Sequence, residues 1–489
     1  MKENLKKKID ECIERYEFHG VAGVTENGET CAFCASGFED DGKLFNKNTR
    51  FFIGGLTSVF TVWTAMLLSQ QGRLDLKTHV STFFPELKRY PDLTAEKLVT
   101  GESGLDDYYM SRGLSVFEDY KQGKMSEEEY VVAYEKISAT DPSPEEVIGF
   151  LALNEIREDP DNNIFSPTDA FLLGEIIVSV TGKNLGDVFE EMIFRPLGMK
   201  NTSFEGKSQL WYTRYENGDK ILVGERSGKC GCSGIITDYS DIEIWVRELT
   251  GGKLLDKKSR AFLFKFKKSK VWRSVFSKEG EWLNVSDFGG VIKFNLKRKI
   301  AVVLLFDVLI KYIENVNGSY DRFITDMTAI TEAELIPPAK LRMEKLNEDN
   351  GWAALDIRLN ESQKNFVSSP QTTLAIASIV KNYKPFVLKD GNRIIGLVVL
   401  EVNKKENSYW IAFFMIDKFY QGKGYGKKFI AMCCDYLAGL GAQKIGIAFY
   451  FRNIAAEKTY SACGFRKISS FRNVTVMEYT VKKEEKTHL

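Results

Sequence analysis

Histidine is almost missing from this chain: three residues in 489, His19, His79 and His488, with no two at a metal-binding or triad spacing. That excludes a histidine-built metal centre or a serine-histidine triad, and each of the three reads as a surface residue. Net charge is missing too. Lys plus Arg and Asp plus Glu both number 67, so composition gives no general affinity for nucleic acid or an anionic membrane, and neither is expected as a partner. No apolar run approaches the roughly 20 residues of a spanning helix, and the N-terminus "MKENLKKKIDECIERYEF" has no apolar segment of a signal peptide. The expectation is a cytoplasmic protein. Cysteine is sparse, eight in all, which suits a reducing compartment and excludes a dense disulfide framework. Cys31 with Cys34 ("CAFC") and Cys230 with Cys232 ("CGC") are the one candidate set for a four-thiolate zinc. Yet "ETCAFCASG" reads as a strand after the turn "ENGE", and residues three apart on a strand point to opposite faces. They read as buried or free thiols, with no metal. Repeats and low-complexity tracts are also lacking.

What is present is length enough for about three domain-sized units, or two with one of them large. Residues 1 to 335 mix strand and helix: "GVAGVTENGETCAFCASG" reads as a hairpin and "KRKIAVVLLFDVLI" as a buried strand, around a helix-rich middle. One helix start is clear in "SPEEVIGFLAL". Ser143 caps, Pro144 takes the first helical position and Glu146 completes a capping box. The charged segment "TEAELIPPAKLRMEKLNEDN", with Pro337 and Pro338, reads as a domain boundary. A compact α/β pattern follows over 341 to 480, then the charged tail "KKEEKTHL".

The stretches "FFIGGLTSVFTVWTAMLLSQQGRLDLKTHVSTFFPEL", "LVTGESGL", "FSPTDAFLLGEIIVSVTGKNLGDVFEEMIFRPLGMKNTSF" and "SGIITDYSDIEIWV" resemble the class C β-lactamase, penicillin-binding and esterase family of serine hydrolases. The resemblance implies an antiparallel sheet with flanking helices and a helical insertion over about 100 to 200. That family's chemistry needs a Ser and a Lys three apart on one helix face, so that a neutral Lys helps take the Ser proton. Here Gly55 stands at the Ser position and Ser58 at the Lys position. The family's Tyr-x-Asn falls on "FSP", with Phe165 and Pro167 in place of tyrosine and asparagine, and phenylalanine has no hydroxyl to carry a proton. The third motif, Lys or His, any residue, Gly, aligns with Glu281 to Leu283, "EWL". The expectation is a catalytically inactive domain kept as a binding or scaffold module. Ser58 and Ser103 are the substitute nucleophiles it leaves open.

In the last third, "PFVLK", "IIGLVVLEV" and "YWIAFFMI" carry strand signals, followed by the turn "QGKGYG" and a helix beginning near Tyr425. Such a turn lets backbone N–H groups close on a phosphate at a helix N-terminus, with Lys423, Lys427 and Lys428 as cations. Gln421, Gly424 and Gly426, with Asn453, Tyr460, Gly464 and Phe465 further on, resemble the GNAT superfamily of N-acetyltransferases. "ESQKNFVSSP" and "MIDKFYQGKGYGKK" are similar to its spermine and spermidine acetyltransferase subgroup. The resemblance implies a GNAT α/β fold with a mixed, splayed sheet and acetyl-CoA as cosubstrate. It lies where the strand ending at Ile416 parts from the strand at Lys444 to Phe449. On that pattern Phe414, Met415 and Ile416 pair with pantetheine, and amides of Gly422, Lys423, Gly424, Tyr425, Gly426 and Lys427 hold the pyrophosphate. Asn453 bonds the pantetheine arm, and Tyr460 protonates the leaving thiolate.

The acceptor implied is a primary amine of a small molecule, polyamine-like or antibiotic-like. Since "SYWIAFFMI" carries no carboxylate where other members place a Glu, the base acts through water. Glu361, Glu401 and Glu406 are candidates to hold a cationic substrate or take its proton. The other reading is a ligand-sensing protein whose hydrolase-like domain recognises a cell-wall or β-lactam-like ligand. A link between domains is also open, the first capturing an amine for the second to acetylate.

Overall fold

The computed structural model describes residues 2–39, 41–139, 142–154, 165–204, 208, 211–214, 220–224, 229–265, 272–287, 289–309 and 320–481. The chain divides into two compact units, Met1–Thr331 and Glu332–Leu489. His488 and the charged tail lie outside the described residues.

The first unit is built on a seven-stranded antiparallel sheet. The hairpin read from the sequence is there, Gly20–Glu26 against Glu29–Ser36, and it turns at Asn27 and Gly28, both at positive φ. Strand Gly20–Glu26 also pairs with Ile300–Phe306, so strands from the two ends of the unit lie side by side, second and third in the sheet. Every residue of Ile300–Phe306 is buried, the continuous apolar pattern of a strand covered on both faces. The helix Thr57–Gln70 is buried from Thr57 to Leu68, because its apolar residues run all round and leave no solvent face. Its Phe60 stacks on Trp245, ring centroids 4.2 Å apart. The capping box of helix Pro144–Leu153 forms as expected, with Ser143 Oγ accepting from Glu146 N and the Glu146 carboxylate accepting from Ser143 N at 2.7 Å. One expectation fails: His19 is not a surface residue. Its ring is 19% exposed and its Nδ1 lies 2.6 Å from the carboxylate of buried Asp307.

The second unit holds another seven-stranded sheet, in the order 341–345, 383–390, 393–403, 408–416, 444–450, 474–480, 466–471. All pairings are antiparallel except Ser408–Ile416 with Lys444–Tyr450, which is parallel and extends over two residue pairs, Trp410↔Gly446 and Ile411↔Ile447. Beyond Ile411 the two strands part. At the paired end the Trp410 ring lies over Gly446, where a Cβ would come within 2.6 Å of it. On the other edge the register of Ser408–Ile416 shifts, leaving Ala412 as an extra residue, and such a bulge bends the strand. The helix Tyr425–Gly439 buries Tyr425, Phe429, Ile430, Cys433, Cys434 and Leu437 against the sheet.

Candidate active site

A cavity of about 770 Å³ opens where Ser408–Ile416 and Lys444–Tyr450 separate. It is lined by Phe414, Met415 and Ile416 on one strand, Gln421, Gly422, Gly424, Tyr425, Gly426 and Lys427 from the turn and helix, and Asn453 and Tyr460 beyond. Of the cofactor and catalytic positions read from the sequence, the structure brings all but Lys423 and Lys428 to this lining.

The backbone makes one wall. Phe414, Met415 and Ile416 pair on one edge with Val398, Leu397 and Gly396, while the edge turned to the fork has no ladder partner past Ile411. Hydrogen-bonding groups of an extended strand left free in this way accept an extended ligand as a further strand would be accepted. The turn is the second wall. Gly422 and Gly424 have φ of 73° and 81°, the left-handed region glycine enters without strain. Gly424 caps the helix Tyr425–Gly439 with no side-chain hydrogen bond, so the first N–H groups, and the positive end of the helix dipole, are left for an anion.

Side chains of the motif brace this geometry. Gln421 Nε2 donates to Ile416 O at 2.7 Å and to Gln363 Oε1 at 2.9 Å, and its Oε1 accepts from Asn360 Nδ2 at 2.9 Å; the residue ties the turn to the strand end. Lys423 points elsewhere: its Nζ donates to Ala333 O at 2.6 Å and to the Glu334 carboxylate at 3.0 Å. Tyr425 OH donates to buried Asp390 at 2.7 Å, and Asp390 also pairs with half-buried Arg393, a cluster that anchors the first turn of the helix. Arg393 in turn donates to Glu332 O and Pro337 O, at 3.2 Å each, so the proline-bearing segment is held to this unit.

Asn453 lines the cavity and caps the helix Ile454–Ala462, its Oδ1 accepting from Ala456 N at 3.1 Å. Tyr460 is buried between Phe449 and Phe465, centroids 5.4 and 6.2 Å away. Burial first, then the nearby thiols of Cys433 and Cys463, raises its pKa above the ordinary phenol value. It therefore holds its proton at neutral pH, as an acid must before it donates.

The acidic candidates do not reach the cavity. Glu361 is 85% exposed and paired with Lys364, Glu401 lies across the sheet from Trp410 and Tyr383, and Glu406 sits in an exposed turn. Sequence reasoning assigned no site role to another part of the lining, Leu359, Gln363, Phe366, Val367 and Ser368, although the last four lie in the stretch "ESQKNFVSSP" that carries the subgroup resemblance. Buried Asp417 was missed as well. It accepts from Arg358 N and Nη1 at 3.0 Å each, and fixes the start of that segment to the strand end.

In the first unit Gly55 lies in a single helical turn, Gly54–Leu56, before the buried helix Thr57–Gln70, and Ser58 is buried on that helix. Phe165 crowds Gly101, where a Cβ would meet it at 2.9 Å, and Pro167 is the first residue of helix Pro167–Thr181 behind its cap Ser166. Ser103 Oγ accepts from Leu105 N at 3.2 Å. Glu281 is exposed in the turn before Trp282–Asp287, whereas Trp282 and Leu283 are buried. Asp169 is fully buried, and the loss of water pushes its carboxyl up to about 7 against hydrogen bonds from Ser103 and Ser166. Cys230 and Cys232 are free thiols with Sγ atoms 3.2 Å apart, and Tyr109 OH lies 3.4 Å from Cys230 Sγ. Among the described residues no group of three or more His, Cys, Asp or Glu is placed to hold a metal, and no helix is long and apolar enough to cross a membrane.

Comparison with known proteins agrees with this two-part architecture. The beta-lactamase family model matches residues 5–307, and the acetyltransferase (GNAT) family model matches residues 352–465. A spermine/spermidine N(1)-acetyltransferase of Bacillus subtilis (strain 168) is 28% identical over 133 residues, 26% of this chain and 88% of that protein. The fold of the first unit is shared with a penicillin binding protein from Bacillus halodurans (TM-score 0.51, 17% identity, 66% of this chain and 99% of that one). A D-amino acid amidase from Ochrobactrum anthropi SV3 is similar to the same extent (TM-score 0.51, 20% identity, 67% and 98%). The chain thus belongs to the beta-lactamase family through its first domain and carries a GNAT acetyltransferase domain in its second.

Proposed function

We propose that the chain moves the acetyl group of acetyl-CoA directly onto a primary amine of a small molecule, polyamine-like or antibiotic-like, in the cavity at the strand fork. The observation that carries this is the meeting, in one cavity, of an unpaired strand edge, a glycine-capped helix N-terminus and a buried, protonated tyrosine. The residues present fit the cosubstrate. Amides of the turn from Gly422 to Lys427 receive its pyrophosphate, with Lys427 as the cation. The edge from Phe414 to Ile416 holds its extended arm, and Asn453 bonds the arm further along. Holding amine and thioester in line supplies much of the acceleration. The amine nitrogen bonds to the acetyl carbon, its proton leaves to water, and the C–S bond breaks. Tyr460 gives its proton to the departing sulfur and regains one from solvent.

The first domain, on this reading, no longer hydrolyses and acts as a binding or scaffold module in a cytoplasmic protein. The support is that Gly55 offers no nucleophile and that Phe165 and Pro167 are used for packing and for starting a helix.

The test is CoA-thiol release by the full chain, with acetyl-CoA and a panel of polyamines, aminoglycosides, amino-acid derivatives and amino-bearing β-lactams. Turnover with one class, lost in Tyr460→Phe, supports the reading. Release with no amine, or a Tyr460→Phe variant that behaves like wild type, overturns it.

A further inference from the structure

We infer that residues 332–339, which the sequence reads as a domain boundary, are a working part of the cosubstrate site, with Glu332 and Glu334 as the positioning residues that hold the phosphate-binding turn. This rests on the acetyl-CoA reading above and adds to it the part of the chain that sets the turn.

The turn before helix Tyr425–Gly439 has little to hold its shape from within. Gly422 and Gly424 both lie at positive φ, where glycine is unstrained but also free to leave. Among the described residues no atom beyond the neighbouring residues comes within 4 Å of a Cβ built at either glycine, so nothing packs over them. The direction of the amides that meet a pyrophosphate is therefore set by the side chains around the glycines, those of Tyr420, Gln421, Lys423 and Tyr425.

Three of these four lead to residues 332–339. Buried Tyr420 donates its hydroxyl to the Glu332 carboxylate at 2.9 Å. Lys423 Nζ donates to Ala333 O at 2.6 Å and to the Glu334 carboxylate at 3.0 Å, and the Glu334 side chain is only 6% exposed. Ala333 O lies in the last turn of helix Tyr320–Leu335, among the carbonyls a helix leaves without an internal partner, so one ammonium serves a helix C-terminus and a carboxylate together. Tyr425 reaches the same residues through Asp390, which accepts from Tyr425 OH at 2.7 Å and from Ala339 N at 2.5 Å. Arg393, paired with Asp390, donates to the carbonyls of Glu332, Ile336 and Pro337. Gln421 alone is tied elsewhere, to Ile416, Asn360 and Gln363.

Lys423 thus acts on the anion through the backbone: it stands between the two glycines that line the cavity and is itself turned away. Opposite consequences separate this role from a passive one. If Glu334 merely occupied Lys423, removing its charge would free an ammonium beside the turn and tighten acetyl-CoA. If Glu334 positions the turn, the same change loosens the amides and weakens acetyl-CoA.

The experiment measures the Kd of acetyl-CoA by calorimetry for the full chain and for Glu334→Gln, Lys423→Met, Lys423→Arg, Tyr420→Phe and the double variant Glu334→Gln with Lys423→Met, alongside the melting temperature of each free protein. Glu334→Gln and Lys423→Met are each expected to weaken acetyl-CoA roughly five- to fiftyfold, and the double variant no more than the worse of the two, since both remove one contact. Lys423→Arg keeps the pair and is expected to stay within about threefold of wild type. With whichever amine turns over, kcat at saturating acetyl-CoA is expected to hold within about twofold, so that the loss falls in KM. Tyr420→Phe removes the Glu332 contact alone; it is expected to weaken binding too, and it carries the test if Glu334→Gln lowers the melting temperature. Unchanged or tighter binding in both Glu334→Gln and Tyr420→Phe overturns the inference, and so does a double variant whose two losses multiply. A wild-type chain that does not bind acetyl-CoA removes instead the acetyl-transfer reading, so the two failures are told apart.

Discussion

The hydrolase-like domain and the acetyltransferase domain keep their sites by different means. In the first, the positions that the family's motifs fill with a Ser, a Lys and a Tyr hold Gly55, Ser58 and Phe165, while the helix carrying the first two is buried from Thr57 to Leu68. In the second, the cavity is framed largely by backbone: a strand edge without a ladder partner past Ile411 and a turn with two left-handed glycines. A site made of side-chain chemistry is lost by a few substitutions that leave the core intact. A site made of backbone persists as long as the fold places the strands and the turn, and side chains such as Gln421 serve to hold that frame.

The sharpest way to break this comparison is Tyr460→Phe, since Tyr460 is the one side chain to which the proposed chemistry assigns a proton. Removing a positioned acid costs roughly 10²–10⁴-fold in kcat; acetyl-CoA affinity by calorimetry is expected to stay within a factor of two or so of wild type, because the frame is backbone. Next is Gly424→Val. No atom lies within 4 Å of the added Cβ, so strain at φ 81° is the cause of any change, and about 1–3 kcal/mol of it predicts a roughly 5- to 150-fold loss of acetyl-CoA affinity. An unchanged Kd would show that the turn does not form the site.

A third measurement tests a group buried in the first domain. The Asp169 carboxyl, pushed up to about 7, binds a proton in the folded chain over a range where the unfolded chain, near 3.9, has released it. The stability tied to that proton is therefore fully present below about pH 4 and lost as pH rises through 7. Asp169→Asn keeps an acceptor for Ser166 N. It is expected to match wild type in chemical denaturation at pH 4 and to exceed it at pH 8, by at most about 4 kcal/mol. Equal stability at both pH values would contradict this. The smallest expected effect is none: a fluorophosphonate probe is expected to leave the chain unlabelled, and labelling abolished by Ser58→Ala or Ser103→Ala would restore the hydrolase reading.

Some of this was legible in the residues. The apolar, β-branched and aromatic runs "IIGLVVLEV" and "YWIAFFMI" marked strands at Arg393–Asn403 and Ser408–Ile416, and "QGKGYG" marked the turn before a helix that starts at Tyr425. These are local signals, set by residue type and by glycine. His19 was misjudged because its partner, Asp307, is 288 residues away. Lys423, expected at the phosphates, is tied to Glu334, 89 residues earlier. Glu361 and Glu401 were picked for their charge, yet this side of the cavity is lined by Leu359, Gln363, Phe366, Val367 and Ser368.

The sequence by itself determined the secondary elements, the two families and the motif positions that lack a Ser, Lys and Tyr, because each depends on residue type and spacing along the chain. The tertiary structure decided where Ser408–Ile416 parts from Lys444–Tyr450, since the pairing of two strands distant along the chain ends at Ile411↔Ile447. It also decided which polar side chains brace the frame and which side chains of the segment 359–368 line the cavity. Helical or strand period tells which face a residue takes, but only the packed fold tells what stands opposite.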